Sequence, residues 1–153
     1  MVRLYHAEGA LRRRCAIVAS RLELAASALV LLEVACHADA ALDDLDALAE
    51  ARGVVLVTLT SGLRAWFGAV AAWLSDLWPI AAERVYGAVL AEMQANAAIA
   101  SSLQRACVAS RDARAADWCD LWSEQRAALA ARLGATLVKA PHQQTVQAGG
   151  LVT

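Results

Sequence analysis

The chain has 153 residues and a mass of 16.1 kDa, enough for one ordinary domain with a buried core. It is 59% apolar with a mean hydropathy of +0.45, which excludes wholesale disorder, and its net charge of −1 with a pI near 6.3 excludes the basic footprint a nucleic-acid partner needs. Alanine supplies about a quarter of the residues, Gly (8) and Pro (2) are scarce, and aromatics are 5%, so the regular turns and the β-branched and aromatic runs of a sheet protein are missing. The expected class is all-α: an antiparallel bundle of about four long Ala-rich helices with coiled-coil-like seams.

In chain order, positions 4, 8, 11, 15, 18, 22, 25, 29, 32 and 36 alternate by three and four, and Glu8 is their single polar member. This predicts a helix over 3–36 with a seam for self-association formed by Leu4, Leu11, Val18, Leu22, Leu29 and Leu32. The pattern fails at His37-Ala38-Asp39. Asp39 can cap a short helix over 40–52, with Gly53 as its stop, or this stretch continues the first helix after a kink. Residues 54–60 read alone as a buried strand. Leu56, Leu59, Leu63, Trp66, Val70, Trp73 and Leu77, however, keep the helical alternation, so the expectation is a helix over 55–77. Pro79 permits a fresh start, and a helix follows over 80–109, whose apolar stripe is interrupted by Glu92 and Asn96. Ser110-Arg111-Asp112 is a break and a cap, and the last helix spans 113–139, with Trp118, Trp122, Leu129, Leu133 and Leu137 on its apolar face. Pro141 is expected to end it, leaving residues 1–140 as one domain and 141–153 as a mobile tail.

Chemistry-bearing patterns are sparse. The cysteines Cys15, Cys36, Cys107 and Cys119 form no CxxC pair and suit small buried apolar positions. Glu33 and His37 share a helix face but do not make a bundle metal site, so no metal or cofactor is expected. No nucleophile elbow, phosphate loop, dinucleotide fingerprint or zinc-protease motif occurs, and no catalytic role is expected. Asp112, Asp117, Asp120 and Glu124 are explained by the helix dipole and by pairing with Arg114 and Arg126. The adjacent Arg12, Arg13 and Arg14 fan around a helix as a solvated face. No uncharged apolar run reaches 18 residues, and Glu8, Arg21 and Glu23 interrupt any secretory leader, so a cytoplasmic location without a transmembrane span is expected.

The tryptophans carry the functional expectation. Trp66, Val70, Trp73 and Leu77 share one stripe, Phe67 and Leu74 form the next, and Trp78 lies a turn on. Together with Trp118 and Trp122 they compose either a binding face for an apolar surface or the central core of the bundle.

Residues 90–140 add a cadence. It runs Leu90-Ala-Glu-Met-Gln-Ala-Asn96, Leu103-Gln-Arg-Ala-Cys107, Ser110-Arg-Asp112, Asp117-Trp-Cys-Asp-Leu-Trp122-Ser-Glu-Gln125, then Leu133 and Lys139-Ala-Pro141. This resembles phasins, the helical proteins that coat polyhydroxyalkanoate granules. Cys119 and Ala113 depart from that pattern, where the family tends to have Gln and Pro. The resemblance implies a non-catalytic coat that meets a hydrophobic polymer surface through its apolar faces and self-associates as a homo-oligomer. The alternative is a generic helical module that joins copies or other chains and has no granule role.

Overall fold

A computed structural model of the chain describes residues 1–21, 26–56 and 82–148. Among the described residues there are four helices and no strand: α1 (Val2–Arg21), α2 (Ala26–Glu50), α3 (Ala82–Ala109) and α4 (Ala113–Ala148). Alanine favours these helices because it loses no side-chain entropy on folding. Small side chains at Ala35, Ala38, Ala41, Ala100 and Ala115, all buried, let the rods approach closely.

The chain forms two hairpins. α1 lies antiparallel to α2, as the Tyr5–Asp46 and Arg12–Asp39 contacts show, and α3 lies antiparallel to α4, with Gln104 donating to Asp120. The hairpins then pack on each other, α1 against α3 and α2 against α4, again antiparallel. α1 and α4 are left diagonal and parallel, so the direction of travel is up, down, down, up. α2 therefore ends at one end of the bundle and α3 begins at the other.

Several boundaries differ from those the sequence suggests. The helix expected over 3–36 is two helices, because the chain reverses between Arg21 and Ala26. That reversal resets the phase of the stripe. Leu4 and Leu11 are fully buried and Val18 is half-buried, but Leu29 and Leu32 on α2 face outward, 60% and 45% exposed. The core face of α2 is instead Val30, Leu31, Val34, Ala38, Ala41 and Leu45. Leu4, Leu11, Leu29 and Leu32 therefore do not form one continuous seam, and Leu22 lies outside the described residues. No break falls at residues 37–39. Ala38 is buried and α2 runs through the short helix expected at 40–52, so Asp39 pairs with Arg12 and caps nothing. Residues 54–56 are irregular, and the remainder of the helix expected over 55–77 lies outside the described residues. The helix expected from residue 80 is described from Ala82. α4 passes Pro141 and continues to Ala148, so the expected tail is helical over 141–148; the proline withdraws one amide from the ladder without ending it.

The helix ends explain themselves. After α2, Val54 N–H reaches Ala49 O at 2.9 Å and Gly53 N–H reaches Glu50 O at 2.9 Å, with Gly53 at φ +63°: a Schellman stop. α3 ends the same way, with Asp112 N–H on Cys107 O at 2.8 Å and Arg111 N–H on Val108 O at 3.1 Å. Here the left-handed position is held by Arg111, φ 57°, which carries a Cβ that glycine would not. Asp112 then caps α4, its Oδ1 accepting from Ala115 N–H at 3.2 Å. Arg52 ties the two stops together by an ion pair with Asp112. Arg111→Gly should accordingly raise stability by about 0.5–1 kcal/mol, and Gly53→Ala should lower it by a similar amount. Urea unfolding of both variants tests this, and a destabilised Arg111→Gly would contradict it.

Candidate functional site

The feature that sets this bundle apart is a charged layer in its middle. Glu8 on α1, Asn96 on α3 and Arg126 on α4 are each at most 2% exposed. Arg126 pairs with Glu8 Oε2 across the diagonal, and Asn96 Nδ2 donates to Glu8 Oε1 at 2.7 Å. On α2, Ala38 is fully buried and lies along the helix between Ala35 of one apolar cluster and Ala41 of the other. The layer divides the apolar core. On one side lie Leu11, Cys15, Leu31, Val89, Met93 and Leu133; on the other lie Leu4, Ala41, Leu45, Ala100 and Trp122.

Each member of the layer comes from the apolar face of its own helix. Glu8 is the polar member of the α1 stripe, Asn96 interrupts the α3 stripe, and Arg126 falls in phase with Trp122, Leu129 and Leu133. Arg126 therefore does not pair with the acids at the start of α4 as the sequence suggested. Of those acids, Asp112 is a cap and Asp120 accepts from Gln104 at 2.6 Å.

Burial dominates the electrostatics. It pushes the Glu8 carboxyl above the ordinary carboxylate range, although Arg126 and Asn96 pull it down; Glu92 adds to the upward push. It also lowers Arg126, although Glu8 pulls the other way. Both partners thus shift as groups for which lost hydration outweighs mutual attraction. Arg126 Nε and Nη1 and Trp122 Nε1 have no hydrogen-bond partner among the described residues. The Arg126 guanidinium sits over the Trp122 ring, 4.9 Å from its centroid, which returns part of the lost solvation.

Around the layer a polar seam joins the two hairpins. His37 Nε2 and Gln125 Oε1 are 3.0 Å apart, Arg132 donates to Glu33 at 3.0 Å, and Arg14 lies 3.1 Å from Glu92. His37 is held below its ordinary pKa, by burial first and the nearby Arg126 second. Trp118 Nε1 donates to Asp44 Oδ2 at 2.9 Å, and its ring lies 6.3 Å from that of Trp122.

This placement changes the reading of the tryptophans. Trp122, expected on a surface-binding face, is 3% exposed and belongs to the core, because α4 turns it toward Leu4 and Leu45. Trp118 is half-buried and anchored by Asp44. Trp66, Phe67, Val70, Trp73, Leu74, Leu77 and Trp78 lie outside the described residues. Large apolar side chains that face outward include Leu29, Leu32, Val108 and Leu121, between 45% and 60% exposed, and Val55 beyond the end of α2, 79% exposed. No group of His, Cys, Asp and Glu among the described residues could hold a metal ion, and no described helix is long and apolar enough to cross a membrane. A shallow, open depression beside Asp46, Glu50 and Gly53 lies away from the charged layer.

No protein-family model matches the chain, and no curated protein or solved structure matches it.

Two expectations follow. Glu8→Ala strands a buried guanidinium and should destabilise the bundle by about 3–5 kcal/mol, whereas Glu8→Leu/Asn96→Leu/Arg126→Leu should be neutral or stabilising by about 1–4 kcal/mol. Denaturant midpoints decide between them; equal losses in both variants would refute the account. The thiols give the second. Burial pushes Cys15 up to about 12 and Cys119 to about 11 from an ordinary 9.0, while Cys36 is exposed. Iodoacetamide at pH 8 should modify Cys36 first, as peptide mass mapping would show. The folded chain keeps protons that the unfolded chain releases, so stability should fall as pH rises above about 9. A flat alkaline profile would contradict the burial of these thiols.

Proposed function

We propose that this chain is a non-catalytic, phasin-like protein that coats polyhydroxyalkanoate granules in the cytoplasm and engages the polymer through apolar helix faces. The observation that supports this reading is leftover apolar surface. The described core is closed by alanines and a charged layer, while Leu29, Leu32, Val108 and Leu121 point outward. The cadence over 90–140 and the indole stripe at Trp66 and Trp73, with Trp78 a turn on, support the same reading. Apolar burial against a polyester is not screened by salt, and the charged outer faces would keep coated particles apart.

The same exposed Leu29 and Leu32 also suit a second reading, in which they meet another copy of the chain and no granule is involved. Sedimentation with polyhydroxyalkanoate particles separates the two. A coat protein should pellet with the particles and stay bound in 1 M salt, where the Debye length falls to about 3 Å from about 8 Å at physiological ionic strength and exposed charge contacts are screened. A self-association module should ignore particles and melt at a temperature that rises with protein concentration. Trp66→Ala/Trp73→Ala should weaken particle binding while the bundle stays folded. Trp122→Ala should instead lower stability by about 3–5 kcal/mol, since that ring fills the core. Particle binding that is unchanged in the Trp66→Ala/Trp73→Ala variant would refute the role of the indole stripe.

A further inference from the structure

The polar contacts between helices are unevenly distributed. The buried ion pair of the described bundle, Glu8–Arg126, joins one hairpin to the other, and so does the Asn96–Glu8 hydrogen bond. The more exposed His37–Gln125 contact also crosses between hairpins. Helix by helix, each rod packs more extensively against its hairpin partner than against the facing helix of the other hairpin. The bundle is thus two well-packed leaves, α1–α2 and α3–α4, whose shared face carries a charged layer.

Such a face separates differently from an all-apolar one. Parting the leaves returns water to Glu8 and Arg126, and to the Arg126 and Trp122 N–H groups that lack partners in the closed form. Beyond the more exposed cross-seam pairs made by Arg14, Glu33 and Arg52, it is the apolar side chains on either side of the layer, such as Leu31, Met93 and Leu133, that oppose separation in water. A hydrophobic surface removes that opposition, because those side chains are then buried against it. A ligand shifts an equilibrium only by binding one state better, and here the open state alone offers the inner faces.

We propose that the two hairpins part at the Glu8–Asn96–Arg126 layer and lay their apolar inner faces on a hydrophobic polymer surface. The polymer half of this proposal rests on the granule reading above. The parting of the hairpins does not, because it can be observed without particles. Cys15 is fully buried between the leaves and reports their separation.

The test uses the full chain with Cys36→Ser. His37→Cys and Gln125→Cys, joined by a short bismaleimide, tether the leaves across the seam. Arg12→Cys and Asp39→Cys, joined in the same way, tether α1 to α2 within one leaf. In the untethered protein, iodoacetamide should reach Cys15 at least about ten-fold faster than global unfolding permits, with a shallower denaturant dependence. The cross-leaf tether should abolish that excess and reduce binding to polyhydroxyalkanoate particles by about ten-fold or more, while the within-leaf tether leaves both unchanged. Glu8→Leu/Asn96→Leu/Arg126→Leu, which makes the seam apolar without a tether, should slow Cys15 labelling in the same direction.

Labelling of Cys15 only at the rate of global unfolding overturns the parting of the hairpins. A cross-leaf tethered protein that binds particles as well as the untethered one overturns the use of the inner faces. An untethered protein that ignores particles overturns the granule reading and the polymer half with it, while the labelling comparison still decides whether the leaves separate.

Discussion

Glu8 and Arg126 meet across the diagonal of the bundle, with Asn96 on the remaining carboxylate oxygen, and the register of α1 against α3 and α4 follows that meeting. A charge placed in an apolar interior without its partner is among the most costly things a fold can contain. If α1 slides by one residue against α3 and α4, Glu8 loses both partners and Arg126 is left buried alone. Leucine and alanine, which fill most of the remaining core, tolerate such slippage far better. The layer therefore supplies register to a core whose apolar part specifies it weakly.

The same layer also sets how the bundle holds together. Apolar side chains of all four helices share the core, and the ion pairs and hydrogen bonds between helices fall more often between hairpins than within them. The upward shift of Glu8 and the downward shift of Arg126 have one cause, lost hydration, and both describe a pair that specifies geometry more than it stabilises. Alanine strengthens the contrast. It permits close approach at Ala38 and Ala41, but buries too little surface to compensate for a charged layer as leucine would.

The absence of sheet signals and the scarcity of Gly and Pro made the all-α class readable from composition, and the stop at Gly53 and the cap at Asp112 were readable from residue type. The polar interruptions at Glu8 and Asn96 were visible as exceptions to apolar stripes, though not as partners of one another. Arg126 was missed because nearby acids on α4 offered it exposed company. Its phase with Trp122, Leu129 and Leu133 was the signal that could have placed it inside. Trp122 was read for a surface, but its ring lies in the core.

By itself the sequence determined local matters: which stretches are helical, which residues can end them, and which positions break an apolar stripe. These depend on interactions within a few residues along the chain, where periodicity and capping chemistry act. Only the tertiary structure decided that the stripe over 4–36 belongs to two helices facing different ways, and that three polar exceptions converge on one layer. The reversal between Arg21 and Ala26 leaves no strong local mark, because the three-four alternation continues across it. Convergence of distant side chains depends on how the rods are arranged in space, which spacing along a single rod cannot encode.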